Sequence, residues 1–332
     1  MIVPNNYSGH KNVVETEIAI KTIKDFFQKK LAENMNLVRV SAPLFVREDS
    51  GLNDGLNGTE RPVSFDAADI NSDLQIVQSL AKWKRLALYK YGFDYGNGLY
   101  TDMNAIRRDE TVDNIHSIYV DQWDWEKVIT KENRNLEFLK AEVNKIYDAF
   151  LSTEKFISEK INSYKKILPD KITFITAEEL LGKYPDLSAK EREYRIVKEN
   201  GAVFIIGIGK KLSDGKAHDN RAADYDDWDL NGDIIFYHPV LDIALELSSM
   251  GIRVDGESLA RQLKIKGEEY KSKYDFHKGI LDGTLPLTIG GGIGQSRICM
   301  FFLQKAHIGE VQVSVWPENE KKQCAENNIF LL

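Results

Sequence analysis

The chain has 332 residues, of which 42% are hydrophobic and 29% charged, as expected for one large or two ordinary globular domains. Its formal net charge of −7 argues against a general nucleic-acid binder, which would carry a basic excess. No membrane partner or secretory leader is expected, because no apolar run approaches the roughly 20 residues of a membrane span and the first residues lack a basic-then-apolar pattern.

Hydrophobic periodicity in the first 130 residues predicts alternating helices and strands. In chain order, we expect a helix over 13–31, a strand over 37–41, a polar glycine-rich loop over 49–58, a helix over 79–91, and strands over 99–103 and 115–125. The first strand should stop at Pro43, and Gly92 should close the second helix.

The remaining chain predicts one long helix and then further strands. In order, we expect a helix carrying apolar residues from Leu139 to Tyr164, helices announced by capping boxes at Thr176–Glu179 and Ser188–Glu191, a strand over 202–208, a charged loop over 209–231, strands over 232–237 and 241–254, and helices over 258–264 and 270–281. This order predicts an α+β fold, a mostly antiparallel sheet flanked by helices. With no repeat or linker visible, we expect a single catalytic domain over 1–332.

A glycine run precedes a helix predicted over 295–304. Gly290, Gly291, Gly292 and Gly294 are followed by Arg297. Glycines remove side chains so that a flat ligand can lie on the backbone, and an arginine can stack on a base or contact phosphate. The spacing fits neither the dinucleotide fingerprint nor a P-loop, so an ordinary tight turn remains the alternative.

The predicted strand His116 to Trp125 alternates between two faces, both with apolar bulk. Gln122 and Asp124 share one face, and a carboxylate on a covered face needs a partner. The functional interpretation is a pocket for a small zwitterion, in which Asp124 binds an ammonium group. The alternative is an internal salt bridge.

The predicted strand 241–254 carries Glu246 and Arg253 among apolar residues, and Asp233 lies on the preceding strand. Two carboxylates on neighbouring strands can bind Mg²⁺ together with nucleotide phosphates. Small residues such as Ser249 leave room for a ligand. A simple Glu246–Arg253 ion pair is the competing interpretation.

Three further residues have ordinary explanations when taken alone. Lys84 lies at the edge of an apolar helix face, where a lysine usually extends to solvent. Asp54 lies in a glycine-flanked loop, where aspartate usually supports a turn. Arg107 belongs to a charged segment that could be a solvated hairpin tip.

Together these segments resemble the catalytic core of class II aminoacyl-tRNA synthetases. Leu37 to Pro43 resembles the proline-ended strand of their first, dimer-forming motif, Arg107 with its following acids resembles the second, and Gly290 to Arg297 resembles the third. A closer resemblance, to the ammonia-dependent aspartate–ammonia ligases, rests on Ser79–Arg85, Tyr119–Glu126, Lys211–Gly215, Asp224–Trp228, Leu230–Asp233, Glu246–Arg253 and Gly290–Arg297.

This resemblance implies a role for each candidate residue. For the substrate, it places the ammonium of aspartate at Asp54 and Asp124, its α-carboxylate at Lys84 and Arg253, and further contacts at Gln122 and Ser249. For the nucleotide, it places Arg107 between the side-chain carboxylate and the α-phosphate, Arg297 at adenine or phosphate, Arg221 at the outer phosphates, and Mg²⁺ at Asp233 and Glu246. Arg107, Gln122 and Arg297 would then be the residues closest to the chemistry.

The implied reaction joins L-aspartate and ammonia with ATP and Mg²⁺, giving L-asparagine, AMP and pyrophosphate through a β-aspartyl-adenylate. A cytoplasmic homodimer is expected. One alternative is an aspartyl- or asparaginyl-tRNA synthetase, although the first motif begins at Leu37 and leaves no room before it for an anticodon-binding barrel. Another is a non-catalytic aspartate- or nucleotide-binding regulatory paralogue, which should have lost phosphate-binding arginines.

Cys299 and Cys324 are the only cysteines, which suits a reducing cytosol rather than a disulfide framework. Glutamine hydrolysis would need an activated nucleophile such as a thiolate. Cys299 is expected in an apolar helix, which raises a thiol pKa, and Cys324 in a polar tail without a nearby histidine. Free ammonia is therefore the expected nitrogen source.

Overall fold

A computed structural model of the protein describes residues 1–5, 7–9, 12–56, 60–161 and 164–332. The described helices are α1 (Val13–Met35), α2 (Ala81–Tyr91), α3 (Leu136–Lys160), α4 (Ala177–Lys183), α5 (Ala189–Asn200), α6 (Gly256–Lys266), α7 (Asp275–Leu281), α8 (Gln295–Phe302) and α9 (Glu318–Glu326). The strands are β1 (Leu37–Arg39), β2 (Phe45–Arg47), β3 (Ser64–Ala67), β4 (Ile70–Ile76), β5 (Gly98–Ile106), β6 (Tyr119–Val128), β7 (Thr173–Thr176), β8 (Ala202–Ile206), β9 (Asp226–His238), β10 (Ile243–Arg253) and β11 (Thr288–Gly294). Residues 57 and 58 of the predicted polar loop lie outside the described ranges.

Eight of these strands form one sheet in the order β1-β5-β6-β11-β10-β9-β8-β7. The inner pairings, from β5 across to β8, are antiparallel, whereas the outer pairings β1–β5 and β7–β8 are parallel. The predicted α+β fold with a mostly antiparallel sheet is confirmed. None of the described helices is long and apolar enough to cross a membrane.

One face of the sheet is covered by α1 and α3. Phe27 of α1 stacks on Trp123 of β6 with ring centroids 5.1 Å apart, and its ring lies 4.9 Å from that of Phe150 on α3. Since neighbouring strand residues point to opposite faces, burial of Trp123 on this side directs Gln122 and Asp124 to the other. The alternation predicted for this strand therefore separates the core from the cavity described below.

Local signals in the sequence locate several helix ends correctly. Thr176 and Ser188 each form the predicted capping box, in which the hydroxyl accepts a backbone N–H and the glutamate three residues later bonds back. Gly92 ends α2 with a φ of 69°, a left-handed conformation that favours glycine.

Two predicted boundaries at the start of strands are wrong. His116 lies before β6 because the Asp113 carboxylate accepts the backbone N–H groups of Ile115 and His116 and forms a turn. The charged loop ends at residue 225 rather than 231, because Asp226 already pairs with Arg253 of β10 at the start of β9.

The predicted long helix also ends earlier than expected. Helix α3 stops at Lys160, and Tyr164 lies beyond it, with its hydroxyl 3.4 Å from Glu154 Oε1. Tyr164 still packs against the main core, which explains why its apolar spacing looked helical.

A second, three-stranded sheet in the order β2-β4-β3 was not predicted. Its strands are short and mostly exposed, so they lack a clear alternation of apolar and polar residues. The sheet supports the loop that carries Asp54. Asn53 Nδ2 donates to the Ile76 carbonyl at 3.2 Å, and Gln78 Nε2 donates to the Asp54 carbonyl at 3.0 Å.

Candidate active site

A cavity of about 440 Å³ lies over the sheet where β6, β11 and β10 adjoin. It brings together nearly all of the predicted site residues. Those on its wall are Asp54, Lys84, Arg107, Gln122, Asp124, Arg221, Glu246, Ser249, Arg253 and Arg297. Asp233 lies behind Arg221 rather than among the described lining residues.

The glycine run forms a central strand, so the tight-turn interpretation is wrong. In β11, Gly292 pairs with Asp124 of β6 on one side and with Ser249 of β10 on the other. A Cβ atom on Gly292 would lie 2.4 Å from Gln122 Oε1 and 2.8 Å from Asp124 Oδ1. These glycines therefore leave space for the side chains of the neighbouring strands.

Asp124 and Lys84 form a buried ion pair on the cavity wall. Lys84 Nζ lies 3.1 Å from Asp124 Oδ2 and donates to the Gly291 carbonyl at 2.8 Å. Burial lowers the pKa of Lys84, although Asp124 opposes this effect. Lys84 does not extend to solvent, and Asp124 Oδ1 is buried with no partner among the described residues. That oxygen is available to a cationic ligand.

Arg253 is held by two carboxylates, and neither of them is Glu246. Its guanidinium donates to Glu126 at 2.8–3.1 Å and to Asp226. Burial raises the pKa of Glu126, but Arg253 outweighs burial and the net shift is downward. The predicted alternative of a Glu246–Arg253 pair is wrong, because strand pairing places Glu126 and Asp226 beside the arginine.

The opposite end of the cavity concentrates positive charge around Glu246. Arg297 Nη1 donates to the Glu246 carbonyl at 2.9 Å, and Arg107 Nε is buried without a partner in the described chain. Burial raises the pKa of Glu246, while Arg297 and Arg221 lower it and prevail. Three arginines at this end are suitable donors for an anionic ligand.

Asp233 forms an ion pair with Arg221 behind this end of the cavity. Burial raises the pKa of Asp233 above its usual value, and repulsion from Glu246 adds to the effect while Arg221 opposes it. Its Oδ1 is buried with no hydrogen-bond partner in the described part of the chain. No cluster of three or more acidic, histidine or cysteine side chains suited to a metal occurs within the described ranges.

Asp54 is buried, unlike an aspartate that merely supports an exposed turn. Its Oδ1 accepts the Leu56 backbone N–H at 3.0 Å, while Oδ2 has no partner within the described ranges. Burial raises the pKa of Asp54 to about 6, with repulsion from Asp224 adding to it and Lys82 opposing it. Asp54 is thus a second cavity-lining carboxylate with one oxygen that has no partner among the described residues.

Comparison with known proteins then identifies the family. Residues 14–328 match the family described as aspartate-ammonia ligase. An aspartate–ammonia ligase of Clostridium perfringens (strain SM101 / Type A) is 64% identical over 100% of this chain and 99% of its own length. One from Bacillus cereus (strain B4264) is 60% identical over 98% of this chain and 99% of its own. The chain belongs to the aspartate–ammonia ligase family.

Solved structures confirm the fold of this family member. An asparaginyl-tRNA synthetase from Entamoeba histolytica, in complex with asparaginyl-adenylate, has a TM-score of 0.64 at 14% identity, covering 91% of this chain and 66% of its own. One from Pyrococcus horikoshii, also with asparaginyl-adenylate, has a TM-score of 0.66 at 14% identity, covering 91% and 70%. The predicted class II synthetase type of core is correct.

The two carboxylates that bind Arg253 beside the ligase cavity were missed in the sequence. Glu126 lies two positions after Asp124, so the alternation of β6 could have placed it on the same face. Asp226 was assigned to the charged loop because its strand was predicted to begin later. The position of Glu126 could have been predicted from periodicity, whereas that of Asp226 depends on the pairing of β9 with β10.

Replacement of Gly292 by alanine tests the space requirement of β11. Because the new methyl group would meet Gln122 and Asp124, we expect the free energy of unfolding to fall by about 1–3 kcal/mol, the usual cost of overpacking. Urea denaturation measures this difference. Gly182→Ala is the matched control, since a Cβ atom added there would have no neighbouring atom within 4 Å and helix α4 favours alanine. Equal loss in both variants would contradict the interpretation.

Proposed function

We propose that this ligase forms L-asparagine from L-aspartate and ammonia through a β-aspartyl-adenylate made with ATP. The supporting observation is the division of one cavity into two ends. One end carries Asp54 and Asp124, each with a carboxylate oxygen that no described residue pairs with, beside the cations Lys84 and Arg253. The other end carries three arginines. Such a cavity suits a zwitterion beside a polyphosphate.

The zwitterion end has candidate contacts for two of the three charged groups of aspartate, its ammonium and its α-carboxylate. We propose that Asp54 and Asp124 bind the ammonium, and that Lys84 and Arg253 bind the α-carboxylate. Gln122 on β6 and Ser249 on β10, which line the cavity on either side of β11, would supply further contacts. Lys84 is already paired with Asp124, so substrate binding would give each of them a second charged partner.

At the nucleotide end, we propose that Arg107 bridges the substrate carboxylate and the α-phosphate. Arg297 would stack on adenine or hold phosphate, and Arg221 would contact the outer phosphates. Glu246 and Asp233 would hold Mg²⁺, because Asp233 Oδ1 is buried without a described partner and the two carboxylates repel each other. Bound there, Mg²⁺ would screen the negative charge of the phosphates.

The chemistry requires two anions to approach each other. The arginines would lower the repulsion while an oxygen of the substrate β-carboxylate attacks the α-phosphorus and pyrophosphate leaves. Neutral ammonia then attacks the activated carbonyl carbon, AMP departs, and the new amide nitrogen loses a proton. This reaction depends on positioning and charge more than on a general base.

Two rival functions have less support. The structural neighbours that charge tRNA show the fold alone at 14% identity, whereas the full-length relatives are named aspartate–ammonia ligases. A regulatory paralogue is disfavoured because Arg107, Arg221 and Arg297 all line the cavity. We propose that residues 1–332 act as one catalytic domain, since Ile20 and Ile329 join the same core.

Ammonia rather than glutamine is the proposed nitrogen donor. Burial raises the pKa of Cys299 to about 12 and that of Cys324 to about 11, so neither thiol is readily ionised at neutral pH. Cys324 was predicted to lie in a polar tail, but its side chain is buried on α9. Both are free thiols in the described chain, which supports the proposed cytoplasmic location.

The reaction is tested by aspartate-dependent exchange of pyrophosphate into ATP, followed by product analysis. We expect exchange without ammonia, and stoichiometric AMP and asparagine once ammonium is added. Glutamine should not replace ammonium in either the parent or the Cys299→Ser variant. ADP as the stoichiometric product would contradict the adenylate, and robust synthesis from glutamine would contradict the nitrogen source.

Asp54 predicts a pH dependence of aspartate binding. Its pKa is raised to about 6, so its carboxylate is charged above this pH and loses its charge as the pH falls through it. We therefore expect the KM for aspartate to rise about tenfold as the pH is lowered from about 7 to about 5. Asp54→Asn should have a high KM at both pH values. A parallel pH profile in parent and variant would exclude Asp54 as the titrating group.

We also propose that two copies of the chain associate as a homodimer. Val14 and Ile18 of α1 are 66% and 61% exposed, and Val38 is 60% exposed on the edge strand β1. Covering such apolar side chains against a second copy is favourable and typical of two-fold interfaces. Sedimentation equilibrium should give twice the chain mass, and Ile18→Asp should lower it. Ile265→Asp, an exposed site on α6, is the control, and a monomeric parent at micromolar concentration would contradict the proposal.

A further inference from the structure

Lys190 lies at the nucleotide end of the cavity, although no sequence motif pointed to it. It is in the first turn of α5 and belongs to the cavity lining together with Arg221 and Glu246. Its side chain is 72% exposed, and its Nζ lies 3.0 Å from Glu193 Oε2. An exposed lysine with a long flexible stem can reach into a cavity at little cost in strain.

The charges that face Lys190 come from several elements. Glu193 lies on its own helix, Glu246 on β10, and Asp219 on the loop between β8 and β9, and all three favour its charged form. Glu246 and Asp219 also interact with Arg221. Lys190 and Arg221 therefore occupy the same electrostatic environment and would face the same part of a bound nucleotide.

Glu193 links the helix that carries Lys190 to the loop that carries Arg221. Its carboxylate is buried, and its Oε1 lies 3.1 Å from Nε2 of His218, a fully buried side chain three residues before Arg221. Asp224, three residues after Arg221, is held by Lys82 at 3.3 Å and His277 at 3.0 Å. The Arg221 segment is thus fixed on both sides, and Glu193 fixes it to the helix that carries Lys190.

We propose that the Lys190 ammonium binds the β- and γ-phosphates of ATP, and the pyrophosphate that leaves, with Glu193 as the residue that positions it. The inference rests on the proposed adenylate-forming function. Lysine commonly binds phosphate as a point charge, and here it would complement the planar guanidinium of Arg221. It would add a cation where the leaving group accumulates negative charge.

The test compares Lys190→Ala and Lys190→Gln with Lys198→Ala. Gln keeps a hydrogen-bond donor for Glu193 and removes the charge. Lys198 is the matched control, because it lies on the same helix and binds Asp242 at 2.8 Å, away from the cavity lining. Calorimetric titration with ATP and with AMP, in the absence of aspartate so that no adenylate can form, gives the two affinities for each variant. The exchange reaction gives the KM for pyrophosphate.

Both Lys190 variants should lower the affinity for ATP and for pyrophosphate by about ten- to a hundredfold, because one charge-assisted contact is lost. Their affinity for AMP should be unchanged. Lys198→Ala should match the parent. Unchanged ATP affinity would overturn the proposal, because it would show that Lys190 does not contact the phosphates. An equal loss of AMP affinity would also overturn it, because it would show a general structural effect. The calorimetry tests Lys190 independently of turnover, whereas absence of exchange in the parent would contradict the adenylate itself.

Discussion

The buried guanidinium of Arg253 is the interaction on which the rest of the site depends. Arg253 lies on β10 and binds Asp226 of the neighbouring strand β9 and Glu126 of β6, on the far side of β11. Glu126 also accepts a hydrogen bond from Thr288 of β11 at 2.6 Å. Four neighbouring strands are thereby fixed at one level of the sheet. Removing one partner of such a buried pair typically costs about 3–5 kcal/mol, because the remaining charge stays desolvated. The register that aligns the cavity side chains therefore has a strong electrostatic determinant.

Around this fixed network, the cavity contains polar atoms that the described chain leaves without partners. Asp54 Oδ2, Asp124 Oδ1 and Arg107 Nε are all buried and unpaired within the described ranges. Folded proteins usually pair such groups, and exceptions concentrate where a ligand completes the hydrogen bonding. The two carboxylate oxygens and the guanidinium nitrogen differ in charge, so they favour different parts of the same reaction complex. The cavity combines a rigid set of paired charges with a smaller unpaired set available to ligands.

Local chemistry made much of this arrangement predictable, and long-range pairing explains most of what was missed. The capping boxes at Thr176 and Ser188 and the glycine after α2 depend on adjacent residues, so the sequence located them. Partners of Arg253 depend on strand order, and the nearer acid in sequence, Glu246, was the wrong candidate. The small sheet beside Asp54 was missed because its exposed strands carry little hydrophobic pattern. Site residues were located largely through the family resemblance, since Lys84 and Asp54 have unremarkable sequence surroundings.

The glycines of β11 also affect the order in which the molecule can assemble. This strand pairs with β6, about 165 residues earlier in the chain, and with β10, about 40 residues earlier. Gly290, Gly291 and Gly292 contribute no side chains to a nucleus and have high backbone entropy when unfolded. The strand should therefore become ordered after its two neighbours have formed a template. The absence of side chains on β11 therefore both leaves space for the cavity and delays the ordering of this strand during folding.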